Sequence, residues 1–140
     1  MPENQWFDDI VIRNIKKKLA ARMTIACEFT SGNMKLITAG HVSAELKAVD
    51  KGQYLNNFVH DVIEMDGEVV GVIANSAAHS PYIEFGTGQF AESGNGRQTP
   101  WFWKDENGNW HFTRGMKPRP IMRTGFDESQ GGIKQILGVE

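Results

Sequence analysis

Four histidines, one cysteine and a scatter of carboxylates are the groups in this 140-residue chain with the chemistry to ligate a metal, move protons or attack an acyl centre. His41, His60, His79 and His111 keep no H-x-x-x-H or H-E-x-x-H interval, and Cys27 lies far from them in sequence. A metal site needs three or four convergent ligands, so these histidines read as structural or solvent-facing. Gly86-Thr87-Gly88 and Gly94-Asn95-Gly96-Arg97 have the glycine content of a phosphate cradle. No Gly-Lys-Ser/Thr follows, however, and they open no evident helix after a strand. They are expected to be turn glycines of an interface loop. Glu84 sits between apolar Ile83 and Phe85, with no Asp or His adjoining it to form the coupled pair that acid–base catalysis requires. No catalytic, cofactor-binding or metal-ligating residue is assigned, and no cofactor is expected.

The most informative residues form two blocks, Pro81 to Gly88 (Tyr82-Ile83-Glu84-Phe85-Gly86-Thr87-Gly88) and Lys117 to Arg123 (Pro118-Arg119-Pro120-Ile121-Met122-Arg123). The first reads as a short strand, Tyr82 to Phe85, running into a glycine turn, and the second as a proline-opened helix start. Alternation on that strand would point Glu84 away from Ile83 and Phe85. Its bland reading is a solvent-facing residue; the favoured one is an ion pair with Arg119 or Arg123 that ties the blocks together. Lys16, Lys17 and Lys18, with Arg13 and Arg22, form the main basic cluster, by default a solvated helix face. Turned inward in a ring, the same lysines would face DNA. Trp101 and Trp103 share one side of a predicted aromatic hairpin, either as core or as anchors for a partner.

The elements that must position these groups follow from periodicity and turn residues. Phe7, Val11, Ile15, Leu19 and Met23 recur every four positions, which predicts a helix from Trp6 to Cys27. Asp8 and Asp9 lie in its first turn, as the helix dipole favours. Thr30-Ser31-Gly32-Asn33 reads as a break, followed by a second helix to about Val49 built on Ala39, Val42 and Leu46. Phe58 to Met65 and Glu68 to Ala74 flank Asp66-Gly67, a hairpin signal. Residues 86–99 are polar and glycine-rich and predict a mobile loop. A second hairpin joins residues 101–104 to 109–113 around Asn107-Gly108. A terminal helix, 118–137, carries Ile121, Met122, Phe126, Ile133 and Leu137 and is weakened by Gly131-Gly132. The expected fold is one α+β domain over 1–140, with N-terminal helices (5–49) on one face of a mainly antiparallel sheet, strands and loops over 54–114, and a C-terminal helix.

Composition narrows the function classes. The formal net charge of −2 argues against broad nucleic-acid affinity, which normally goes with a basic domain. A single cysteine cannot form an intrachain disulfide and predicts a reducing compartment. No apolar run approaches the ~18 residues needed to span a bilayer, and Glu3, Asp8 and Asp9 do not suit a signal peptide. The chain is expected to be made in a cytoplasm, with no membrane contact.

The two blocks, in this order and near this separation, resemble the "Y-x-E-F-G-T-G … P-x-P-F-L-x-x-A" pattern of the HK97 gp10-like tail-component family of tailed bacteriophages, proteins of the head-to-tail joint. Ile121 and Met122 stand where that family has Phe and Leu, and Gly125 lies near its small residue. Lys51 to Phe58 is similar to the family's "T-G-x-L-x-x-S-I" block, without its Thr and Ser and one residue out of step. The resemblance covers residues 50–130. It implies a virion structural protein without catalytic activity, a neck component for head-tail joining or tail completion, assembled in the bacterial host cytoplasm. It also implies a ring-like homo-oligomer of six or twelve copies that meets other head-tail joining and tail proteins and transiently DNA in the channel. The subunit surfaces are expected at Tyr82, Glu84, Phe85, Gly86, Thr87, Gly88, Pro118, Arg119, Pro120 and Arg123, with Trp101 and Trp103. Two readings of other classes stand beside it: a nucleic-acid-binding module using Lys16 to Lys18 with the tryptophan hairpin as a stacking platform, and a small hydrolase using the glycine-rich loop.

Overall fold

A computed structural model describes residues 3–49 and 52–139 and shows an α+β protein. One long helix, α1 (Glu3–Thr38), is followed by a first hairpin of β1 (Phe58–Met65) and β2 (Glu68–Asn75). A short helix α2 (Ser80–Phe85), a second hairpin of β3 (Trp101–Lys104) and β4 (Trp110–Thr113), and the terminal helix α3 (Ile121–Leu137) complete the chain. The strands are antiparallel as expected, and they form two separate two-stranded ribbons.

The 36-residue α1 spans about 54 Å at ~1.5 Å per residue. It does not break at Thr30-Ser31-Gly32-Asn33, where the sequence predicts an end. Thr30 Oγ1 donates to the Ala26 carbonyl at 2.8 Å, and Asn33 Nδ2 donates to Ser129 Oγ on α3 at 2.9 Å. Residues that favour caps when exposed are here satisfied inside the helix and against its neighbour, so packing overrides local preference. The true stop is Gly40, in the left-handed region at φ 90°. The Gly40 N–H reaches the Ile37 carbonyl and the His41 N–H that of Leu36, the double closure of a Schellman motif. The expected second helix to Val49 is therefore absent; residues 44–46 form a single 3-10 turn capped by Ser43.

The β1–β2 hairpin matches its prediction, pairing Phe58 with Asn75 through Met65 with Glu68. Asp66 and Gly67 both take positive φ, as a primed two-residue turn requires. The hairpin lies along α1, where Lys16 Nζ meets Glu64 Oε1 at 2.7 Å. Gly71 sits at the closest approach: a Cβ there would come within 2.7 Å of Cys27 Sγ and 2.8 Å of Met23 Sδ.

Helix α3 runs back along α1. Gly125 faces Met34 and Gly132 faces the Phe29 ring, with fully buried Ser129 between them. The glycines that weaken this helix in isolation divide in role: Gly132 lets the helices touch, while Gly131 faces open space. The core is small. Met34, Ile37, Tyr54, Phe58, Ile83 and Ile121 are its large members, with Ala48 and Ala77, gathered at the C-terminal third of α1. Cys27 is buried and free, and burial pushes its thiol above the ordinary range. Lys51, the first residue of the upstream block, lies outside the described residues.

Candidate functional site

The two sequence blocks meet, and Glu84 is the reason. Residues 82–85 are helical rather than a strand: Pro81 pre-sets the first turn of α2, and Gly86 at φ 78° closes it with an N–H to the Tyr82 carbonyl. Proline inside the start and glycine past the end are the asymmetric bracket of a helix. In this short helix Ile83 and Glu84 turn inward while Tyr82 and Phe85 stay exposed. Glu84 thus faces the interior beside Ile83, and the opposite-face placement drawn from a strand does not hold.

Glu84 is only 6 % exposed, and among the described residues its carboxylate accepts its hydrogen bonds from the start of α3. Oε2 accepts the Met122 N–H at 3.0 Å; Oε1 accepts the Arg123 N–H at 3.1 Å and Arg123 Nε at 3.0 Å. The residue in the α3 N-cap position is Pro120, which offers no side-chain acceptor. A carboxylate thirty-eight positions upstream therefore supplies the cap that the local sequence lacks, against the positive end of the helix dipole.

Arg123 completes the knot. Its Nη2 donates to the Glu84 carbonyl at 2.9 Å, and its two terminal nitrogens reach Glu92 at 3.1 and 3.0 Å. The guanidinium also lies 5.1 Å from the Phe85 ring centroid. Hydrogen bonds to Glu92 first, then to Glu84, hold the guanidinium above its ordinary pKa. Arg123 is the partner, as one arm of the expected pairing has it. Arg119 contributes its backbone instead, donating to the Ile83 carbonyl at 2.7 Å.

Glu92 belongs to the segment read as a mobile loop, and that expectation needs correction. The Thr87 N–H donates to the Met116 carbonyl at 2.9 Å, the Met116 N–H returns to Thr87 Oγ1 at 2.8 Å, and the Glu92 N–H reaches the Phe85 carbonyl at 3.0 Å. Gly88 packs directly on the Arg114–Gly115 backbone with no room for a Cβ. Gly86, Gly88 and Gly96 are close-approach residues, while Gly94 faces open space at a positive φ. Of the residues expected to form subunit surfaces, Glu84, Gly86 and Gly88 are buried within the chain, and Thr87, Arg119 and Arg123 bind inside it. Pro118 and Pro120 are half-buried at the α3 entrance.

Trp101 is half-buried under Arg97, and Trp103 stacks on His111 with centroids 4.5 Å apart. On the other face of this hairpin Phe102 and Phe112 pair edge to face, and Trp110 stands beside them, all exposed. The tight turn uses positive φ at Gly108 but not at Asn107. Asp105 instead orders it, accepting the N–H groups of Asn107 at 2.9 Å and Asn109 at 2.8 Å and meeting His111 Nε2 at 2.8 Å. The His111 bond first, then the amide of Asn109, holds the Asp105 carboxyl below its usual range. Lys16 is taken up by Glu64, while Lys17 and Lys18 remain exposed.

The exposed apolar residues went unread in sequence as a surface. Trp6, Phe7, Val11, Ile15 and Leu19, whose spacing marks one face of the first helix, all lie exposed. Their spacing signals a helix face that must be covered but does not say by what. Among the described residues no group of three His, Cys, Asp or Glu side chains converges as a metal site would need, and no helix is long and apolar enough to cross a membrane. No family model matches the chain, and neither curated proteins nor solved structures give a match.

Proposed function

We propose that this protein is a structural assembly subunit of a tailed bacteriophage or prophage, a head-tail joining or tail completion component of the neck that acts by oligomerising. The observation that carries the reading is an imbalance of surface. The chain exposes 9854 Å², against about 7,300 Å² for a compact monomer of its mass. Among the described residues the exposed large hydrophobics, from Trp6 to Val139, outnumber the buried ones. Contiguous exposed apolar surface on a soluble chain marks a place where another surface sits.

The knot of Glu84, Arg123 and Glu92 supports the same reading in another way. It joins α2, the glycine segment and α3 with charge-assisted bonds, a rigid unit without a reacting centre. A subunit of this kind works by geometry, holding its contact surfaces at fixed angles. Lys17 and Lys18 would give such a ring a local, salt-sensitive contact with DNA.

The test is genetic and visual. In a lysate of the parent phage lacking this chain, electron microscopy is expected to show DNA-filled heads and free tails side by side, rejoined when the chain is supplied in trans. Complete, infectious virions in its absence would contradict the proposal.

A further inference from the structure

Two apolar surfaces on this chain lack a cover, and they are of complementary kinds. The first is on α1. Arg22, Ala26, Phe29 and Asn33 form the ridge along which α3 packs, and α3 ends level with Arg22, whose Nη1 reaches the Leu137 carbonyl. The ridge does not end there. Leu19, Ile15, Val11 and Phe7 continue it at four-residue spacing, with Phe7 66 % exposed. The β1–β2 hairpin lies against another side of α1, the one bearing Asp9, Ile12, Lys16 and Ala20. Some 12 residues of apolar ridge, about 18 Å at ~1.5 Å per residue, therefore face solvent.

The second surface is the β3–β4 hairpin. The register pairs Phe102 with Phe112 and Lys104 with Trp110, so Phe102, Phe112 and Trp110 share one face. Phe102 and Trp110 are each 67 % exposed. An isolated two-stranded ribbon is marginal in water unless a helix or further strand packs on it. Among the described helices and strands, β3 and β4 make extensive contact only with each other.

We infer that the β3–β4 hairpin of one copy docks through Phe102, Trp110 and Phe112 onto the α1 ridge of a second copy, at Phe7, Val11, Ile15 and Leu19. This inference rests on the assembly reading above and names the contact. A helix ridge is what the aromatic ribbon lacks, and a sheet face is what the ridge lacks. Lys18 toward the inner end of the ridge and Asp105 at the hairpin turn carry opposite charges that orient the docking. Each face offers on the order of 400 Å² of apolar area, so the pair supplies the hydrophobic centre of a standard interface of roughly 1,600 Å². Because the two faces differ, the contact is head-to-tail. Every copy keeps one free donor hairpin and one free acceptor ridge until a ring closes.

That directionality gives a test by mixing. Val11→Glu/Ile15→Glu breaks the ridge and Phe102→Glu/Trp110→Glu breaks the hairpin. All four residues are exposed in the single chain, so both variants are expected to keep the wild-type circular dichroism and melting temperature. Burying a charge at the contact weakens it at least ~100-fold. By light scattering each variant alone is expected to be a monomer at concentrations where the wild type assembles. A mixture of the two forms a 1:1 dimer and nothing larger, since one intact ridge meets one intact hairpin. A mixture that stays monomeric, or a hairpin variant that assembles alone, overturns the contact. A wild type that assembles together with both variants overturns the contact and leaves the assembly reading standing. A wild type that never assembles overturns both.

Discussion

Replacing Glu84 by alanine isolates what holds the two sequence blocks together. The change strips the cap from the Met122 and Arg123 N–H groups, a loss of about 1 kcal/mol for an N-cap. It also removes a buried acceptor from Arg123 Nε, which is roughly 1.5–3 kcal/mol for a bond to a charged group. Arg123 is 47 % exposed and keeps its bonds to Glu92, so the lower end of that range applies. The total is about 2–3 kcal/mol, or a fall of roughly 6–12 °C in melting temperature for a chain of this size. Arg123→Ala leaves both caps in place and is expected to cost about half as much, with the double variant less than additive by about 1 kcal/mol. The reversed pair Glu84→Arg/Arg123→Glu does not rescue, because it buries a cation at the positive end of α3. Urea unfolding of the four proteins checks this. A Glu84→Ala loss under 0.5 kcal/mol would refute the capping argument. So would a loss that vanishes entirely in the Arg123→Ala background, since that assigns everything to the ion pair.

Three further outcomes follow from local geometry. Gly131→Ala, at an open helical site, is expected to stabilise by about 0.5–1 kcal/mol, whereas Gly132→Ala drives a methyl into the Phe29 ring and costs about 1–3 kcal/mol; equal effects in thermal melts would contradict the α1–α3 packing. Among the described residues the buried Tyr54 hydroxyl has no hydrogen-bond partner, and burial, then Glu84, pushes its pKa well above the ordinary value. Tyr54→Phe is therefore expected to be neutral or stabilising by about 1 kcal/mol, and a loss larger than 1 kcal/mol would reveal a bond to that hydroxyl. Asp105 has a depressed folded pKa, so its contribution is present above the ordinary carboxyl value of 3.8 and is lost as pH falls below it. The Asn107 and Asn109 amide resonances should shift on acidification from pH 5 to 2.5 and should not in Asp105→Asn; identical titrations would disconnect the turn from Asp105.

What was legible in the sequence was whatever local patterns determine. The Asp66-Gly67 hairpin, the aromatic hairpin, the helix opened by Pro118 and Pro120, and the α+β class all follow from period and turn chemistry. The pairing of Glu84 with an arginine of the second block was also legible, as one of two candidates. Misreadings arose where distant contacts decide the backbone. Thr30 to Asn33 look like a break until α3 supplies Ser129 as a partner. Residues 82–85 look like a strand because apolar Ile83 and Phe85 alternate with Glu84, although Pro81 and Gly86 already bracket a short helix. Residues 86–92 look loose because their glycines are read as freedom, when Gly88 is needed for contact with Arg114 and Gly115. The apolar ridge of α1 carried the deepest ambiguity, since a four-residue period reads the same whether the face is covered by the same chain or by another.

The solution mass of the wild-type chain, taken by light scattering from low to high micromolar concentration, bears most directly on the claim that this is an assembling subunit. A discrete closed multiple of the 15.7 kDa chain that sharpens as concentration rises is the expected result. A monomer at every concentration, with Trp6, Phe7, Trp110 and their neighbours left in water, would contradict it.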